Sequence, residues 1–115
     1  MKNSCNVIIK KSKNDSDNAI LYCAYGGDPM SAGINLKSTL KDLKLSGEWR
    51  KLKSSPSSLA SRITHIGGDF TLDYIISKDI DYLYVVYINT GTIMIYDVID
   101  NENMKCKEIG YSYFK

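Results

Sequence analysis

The chain has 115 residues, a formal net charge of +2, 43% hydrophobic and 24% charged residues, and nine tyrosines against two phenylalanines and one tryptophan. This length predicts a single domain over residues 1–115, and the composition is ordinary for a soluble globular protein. The longest apolar runs are strand-sized, which excludes a transmembrane helix. The start M-K-N-S-C-N lacks the apolar segment of a signal peptide, so we expect a cytoplasmic protein.

The first half of the chain predicts a β-hairpin that leads into a helix. Residues 5–10 and 19–25 are strand-like and are separated by a polar, turn-forming segment. The stretch Y-G-G-D-P then predicts a strand-to-helix turn, with Asp28 as the helix N-cap and Pro29 at the first helical position. One apolar stripe at helical spacing follows: Leu36, Leu40 and Leu43.

A second helix is predicted to begin after Ser55, an N-cap residue, with Pro56 at its first position. Its apolar stripe consists of Leu59, Ile63 and Ile66. Gly67 stands where a left-handed C-cap glycine belongs. The second Gly-Gly-Asp, in H-I-G-G-D-F, is therefore interpreted as a helix-to-strand turn. It lacks the extra acidic residue and the hairpin context of a diguanylate cyclase signature.

The second half of the chain predicts strands. Residues 70–77 alternate in polarity, residues 82–88 are apolar on both faces like a central strand, and N-T-G at 89–91 predicts a hairpin loop before the next strand. The tail from Asn101 is polar until C-K-E-I-G-Y-S-Y-F, which either adds an edge strand or packs loosely. The order β-β-α-α-β-β-β predicts an α+β domain, in which a mainly antiparallel sheet of about five strands carries two helices on one face.

Charge is segregated along the chain, and the two charged segments are candidate partner-binding sites. Six basic and two acidic residues lie between Lys37 and Lys53, whereas seven acidic residues and one lysine lie between Asp69 and Glu102. The candidates are Lys41, Trp49, Arg50 and Lys51 in the basic segment and Asp73, Asp79 and Asp81 in the acidic one. An alternative is that the basic segment binds DNA or RNA directly, with lysines on phosphates and Trp49 stacked on a base.

The strand at 82–88 supplies a second type of candidate. Tyr82 and Tyr84 fall on one of its faces, and Leu83, Val85 and Tyr87 on the other. If helices cover only one face of the sheet, the other exposes tyrosines and aliphatic side chains. Such a patch is typical of a protein partner or a homodimer contact, so Tyr82 and Tyr84 are included as candidate binding residues.

A third hypothesis is a small nucleotide-ligand or metal-dependent module around Asp28, His65 and Asp69. It requires these side chains to converge on one pocket from the two glycine turns. The single histidine and the unclustered Cys5, Cys23 and Cys106 contain no zinc-site spacing, so no metal, cofactor or catalytic residue is predicted. Cys5 and Cys23 could face each other across the hairpin, but a reducing compartment argues against a structural disulfide.

The pattern resembles a loose group of small proteins carried by phages, prophages and plasmids. The matching segments are Tyr25-Gly26-Gly27-Asp28-Pro29, Gly33 with Leu36, Leu59-Ala60, and Tyr82-Leu83-Tyr84-Val85. The resemblance implies a mobile-element origin in a bacterial host. It further implies a non-enzymatic inhibitor of a host defence complex, like an anti-CRISPR protein, that occludes a surface on a nucleic-acid-handling partner.

Overall fold

The computed structural model describes residues 3–66, 69–77 and 79–114. Within these residues the strands are β1 (Cys5–Lys10), β2 (Asn18–Cys23), β3 (Thr71–Asp73), β4 (Tyr82–Tyr87), β5 (Thr92–Asp100) and β6 (Lys105–Tyr113). The helices are α1 (Ile34–Leu45), which continues a π-helical turn at Pro29–Gly33, α2 (Trp49–Leu52) and α3 (Pro56–Ile66). The α+β class predicted from the sequence is confirmed.

The described strands form one mixed sheet in the order β3-β2-β1-β4-β5-β6. β1 lies next to β4 in parallel, with Cys5 opposite Tyr82, whereas the other neighbouring strands are antiparallel. The prediction of about five strands and two helices is corrected to six strands, a parallel centre and a short additional helix. Periodicity shows that a segment is a strand, but the choice of its neighbour is a long-range property that periodicity does not carry.

The predicted helix starts are confirmed in position. Asp28 has extended backbone angles (φ −69°, ψ 160°) immediately before Pro29, but its carboxylate accepts the Ser31 hydroxyl at 3.4 Å and makes no cap hydrogen bond to a backbone N–H. Ser55 does cap α3, because its hydroxyl accepts the Ser58 N–H at 3.3 Å. The predicted C-cap Gly67 lies outside the described residues.

The main core lies between the helices and one face of the sheet. Its fully buried members include Val7 and Ile9 of β1, Leu36 and Leu40 of α1, Leu59 and Ile63 of α3, and Tyr84 and Val86 of β4. The tail belongs to this core as well. β6 is followed by Phe114, which is fully buried and meets the Trp49 ring edge-on at a centroid distance of 5.9 Å. The apolar tail is therefore an ordered part of the domain.

Residues 74–77 and 79–81 lie between β3, at one edge of the sheet, and β4, near its centre. The strand predicted for 70–77 ends at Asp73, because the chain then crosses the face of the sheet opposite the helices. The fully buried Asn6 holds this crossing. Its Oδ1 accepts the Ser77 N–H at 2.7 Å, and its Nδ2 donates to the Leu21 carbonyl at 2.9 Å.

Replacing Asn6 by leucine is expected to destabilise the domain by about 2 kcal/mol, because the change removes both hydrogen bonds and leaves a buried N–H without its acceptor. Urea denaturation followed by circular dichroism measures the loss. Asn14→Leu is the matched control, since Asn14 lies exposed in the loop between β1 and β2, and we expect it to shift stability by less than about 0.5 kcal/mol. Equal midpoints for the two variants would contradict the assigned role.

Candidate protein-interaction surface

The face of the sheet opposite the helices carries a continuous row of apolar side chains. The strand register places the members of this row side by side across five strands, in the order Ile20, Ile8, Val85, Met94 and Tyr111. With neighbouring strands about 4.8 Å apart, the row is roughly 19 Å long. Val85 is buried at its centre, whereas Tyr111 at its end is 61% exposed. The segment after β3 covers this side of the sheet around Asn6, and we refer to the rest of this side as the open face.

The open face accounts for much of the tyrosine content. Five of the nine tyrosines lie on it by strand register: Tyr22, Tyr87, Tyr96, Tyr111 and Tyr113. Tyr111 and Tyr113 pack edge-to-face with ring centroids 5.5 Å apart. Tyrosine suits this position because its ring packs on the sheet while its hydroxyl stays hydrated.

The two tyrosines that the sequence predicts for binding lie on the other face. Tyr84 is fully buried beneath the helices, and its hydroxyl donates to the Gly27 carbonyl at 2.7 Å. Burial raises the pKa of this phenol, with nearby Cys5 and Asp28 adding to the shift. Tyr82 packs partly buried against the core. We therefore exclude Tyr84 from any contact surface, because the helices cover the face on which the sequence analysis placed it.

The open face ends at a free strand edge. β6 is the last strand of the described sheet, so no other described strand pairs with its outer edge. The half of β6 near its start carries Lys105 and Lys107, and the pairing with β5 shifts between Ile95 and Tyr96. Charges and a bulge of this kind protect an edge from non-specific strand pairing. The remaining half, from Gly110 to Tyr113, lacks a charged residue.

Acidic side chains lie along the margins of the open face. Asp73 on β3 pairs with Ile20 at one edge, and Glu108 on β6 lies opposite Tyr96 near the other. Glu108 contributes to raising the pKa of Tyr96, after burial and Tyr87, which agrees with its place on this face. Asp79 is exposed on the crossing segment. Asp81 has a structural partner, since its carboxylate accepts the Ser4 N–H at 3.1 Å.

These carboxylates do not form a metal site in the described part of the chain. Asp73 lies level with Ile8, whereas Asp81 bonds to Ser4 at the start of β1, two strands away. No group of three or more His, Cys, Asp or Glu side chains in residues 3–66, 69–77 and 79–114 is arranged to hold a metal ion.

The basic candidates lie at the end of the domain that carries the β4–β5 hairpin. Lys41 and Lys44 border a groove of about 370 Å³ with Leu45 and Phe114, and the Phe114 N–H donates to the carbonyl of Gly91 in that hairpin. Arg50 and Lys51 are exposed on α2. Trp49, however, is partly buried against the core. Its ring packs against Phe114 and is therefore not free to stack on a base. Direct nucleic-acid binding would depend on the basic side chains.

The three residues of the nucleotide or metal hypothesis do not line one common cavity in the described part of the chain. His65 is exposed on α3, with its Nδ1 2.8 Å from the Ser61 carbonyl oxygen, and it borders a groove along that helix. Asp69 borders a different cavity, beside Gly26 and Cys23. Asp28 lies at the turn before α1 and acts electrostatically on Cys5. Among the described residues, no cavity is lined by all three of these side chains, as this hypothesis requires.

Comparison with known proteins gives no matching family model, no matching curated protein and no matching solved structure. Among the described residues, none of the helices has the length and apolar character needed to span a membrane.

Proposed function

We propose that the chain is a protein-binding protein whose open face docks on a basic surface of a nucleic-acid-handling partner. Occupying that surface would block the partner's access to nucleic acid. The bacterial cytoplasm and the role of an inhibitor of host defence, of the anti-CRISPR kind, belong to this proposal through the resemblance described above. The continuous apolar row with its tyrosine end is the observation that carries it.

The composition of the open face supports a protein partner. Specific interfaces combine an apolar centre with a polar rim, and tyrosine is enriched among the side chains that dominate binding energy. Here Ile8, Val85 and Met94 form the centre, while Tyr111 and Tyr113 stand exposed at one end. Contiguous apolar patches on a domain surface mark interaction sites, and the exposed part of this one is its tyrosine end, because Val85 is buried and Ile8 and Met94 are half-buried.

The charges around the open face favour a basic occupant. Asp73, Asp79 and Glu108 lie at its margins, and they can pair with arginine or lysine on a facing protein. Lys10 is the basic residue that the register places on this face, and its ammonium donates to the Lys13 carbonyl at 3.2 Å. Basic surfaces are the general property of proteins that bind nucleic acid.

Site-specific photo-crosslinking in the bacterial host tests this assignment. A benzophenone amino acid replaces Tyr111 on the open face in one variant and Lys44 on α1 in a matched control. We expect one protein to be cross-linked from position 111 but not from 44, and nucleic acid added to the lysate should compete with it. Self-adducts from position 111 would instead indicate a homodimer, and adducts from 44 alone would refute the open-face proposal.

Inhibition of the host defence complex is tested by a separate experiment. Host cells with an active CRISPR system are expected to restrict a targeted plasmid less when they express the protein, and the Tyr111→Ala, Tyr113→Ala double variant should restore restriction. If the cross-linked partner is a basic protein unrelated to defence, the inhibitor role fails while the binding surface stands.

A further inference from the structure

Two cysteines face each other directly across the β1–β2 hairpin, beneath the first glycine turn. The strand register pairs Cys5 with Cys23, and antiparallel neighbours have Cα atoms about 4.5 to 5.5 Å apart. This separation is within the range that a disulfide spans. Both thiols are free in this structure, and the Cys23 thiol donates a hydrogen bond to the Tyr25 carbonyl oxygen at 2.9 Å.

The two thiols differ in their access to solvent. Cys5 is fully buried, whereas Cys23, although only 2% exposed, borders a cavity of about 300 Å³. Ser31, Asn35 and Asp69 contribute polar groups to the same cavity, and Phe70 an apolar wall. A small molecule that enters the cavity therefore meets one sulfur first, with the second immediately behind it.

The two thiols also differ in acidity. The interaction with the neighbouring Cys5 side chain lowers the pKa of Cys23, although burial and the Asp69 carboxylate oppose this. The same interaction, together with burial and the nearby Cys23 and Asp28 charges, raises the pKa of Cys5. The neighbouring Tyr84 phenol stays neutral, because burial raises its pKa. The sulfur that borders the cavity is thus the one that ionises first.

We propose that Cys5 and Cys23 form a thiol-exchange site for small organic disulfides, in which Cys23 is the attacking group and Cys5 the resolving group. The Cys23 thiolate attacks one sulfur of the disulfide RSSR, forming a mixed disulfide and releasing RS⁻. Cys5 then loses its proton to RS⁻ or water, and its sulfur attacks the Cys23 sulfur. This step forms the Cys5–Cys23 disulfide and releases the second RS⁻. Two protein thiols are oxidised and one RSSR is reduced to two RSH.

Cys106 provides a comparison within the same chain. It lies on β6 with more exposure than either paired cysteine, while burial and the Asp97 carboxylate raise its pKa. Exposure alone would make Cys106 the first thiol to react. Thiolate character and a resolving partner favour Cys23 instead, since the thiolate is the nucleophile in exchange.

The test treats the full chain in its native state at neutral pH with 2-hydroxyethyl disulfide, quenches with iodoacetamide and maps peptides by mass spectrometry. We expect a Cys5–Cys23 disulfide to form roughly tenfold faster than any adduct on Cys106. Its rate should rise with pH and level off below the midpoint of an ordinary thiol near pH 8.5, because the Cys23 pKa is lowered. Cys106→Ser should behave like the wild type.

Cys5→Ser should halt the reaction at a mixed disulfide on Cys23. Because Cys5 is fully buried, circular dichroism first establishes whether the serine variant folds, and the wild-type peptide map decides the matter if it does not. Adducts on Cys106 while Cys5 and Cys23 stay alkylatable after unfolding would overturn the proposal. So would equal reaction rates for all three cysteines.

Discussion

Replacing Gly27 by alanine is expected to cost about 3 kcal/mol of unfolding free energy, because the added methyl group has no space. An alanine Cβ at this position would lie 2.7 Å from the Asn3 carbonyl oxygen and from the Ser4 carbonyl carbon, and 2.8 Å from the Cys5 nitrogen. All three atoms belong to the backbone that leads into β1, so no side chain can rotate away. The Gly27 carbonyl also accepts the buried Tyr84 hydroxyl, which ties the turn to the centre of the sheet.

Alanine substitutions at two other glycines distinguish the cost of steric crowding from the cost of an unfavourable backbone conformation. Gly26 has φ +67° with ordinary space around it, so Gly26→Ala should cost about 1 kcal/mol through strain alone. Gly47 has nothing within 4 Å of the added Cβ, and Gly47→Ala should be neutral within about 0.5 kcal/mol. Urea denaturation of the three variants gives the ranking. A Gly27 variant as stable as the Gly47 variant would show that the backbone around Asn3 yields easily.

The first glycine turn shows what the sequence can predict and where prediction stops. Asp28 before Pro29, with leucines at helical spacing after them, is a local signal, and it predicts the helix start correctly. The close approach of residues 3–5 to Gly27 is not local, because it depends on how the first strand lies under the turn. The hairpin loop predicted from N-T-G is also a local signal, and it is confirmed, with Gly91 at φ +67°.

For the candidate surface, too, the sequence predicts the local features but not the long-range contacts. Alternation along β4 correctly separates Tyr84 from Val85, but it does not say which set the helices cover. That choice depends on the register and twist of the whole sheet, so Tyr84 was predicted to be exposed and lies in the core. The open face also contains tyrosines from β2, β5 and β6. One of them, Tyr111, lies in the tail, for which the sequence predicts either an edge strand or loose packing. Strand pairing alone brings these residues together.

Replacing Tyr111 by lysine is expected to weaken binding of the cross-linked partner about 100-fold. The change removes an exposed aromatic anchor, and it places a positive charge where the proposal requires a basic surface to dock. Tyr111→Glu removes the same ring but adds a charge of the opposite sign, so its loss should be about tenfold smaller. Tyr111 is 61% exposed on the edge strand, and both variants lose the same ring contact with Tyr113, so we expect both to fold with equal stability. Isothermal titration calorimetry with the purified partner measures both dissociation constants.

Leu45→Lys is the control for added positive charge, because Leu45 is 87% exposed on α1, on the helix side of the domain. We expect it to bind like the wild type. Equal losses for the lysine and glutamate variants would keep the open face as the contact surface but remove charge complementarity from the proposal. Full binding by both variants would mean that the partner does not touch the tyrosine end of the apolar row. In that case the basic end around Lys41 and Lys44 becomes the surface to examine, since charged and apolar side chains border a groove there.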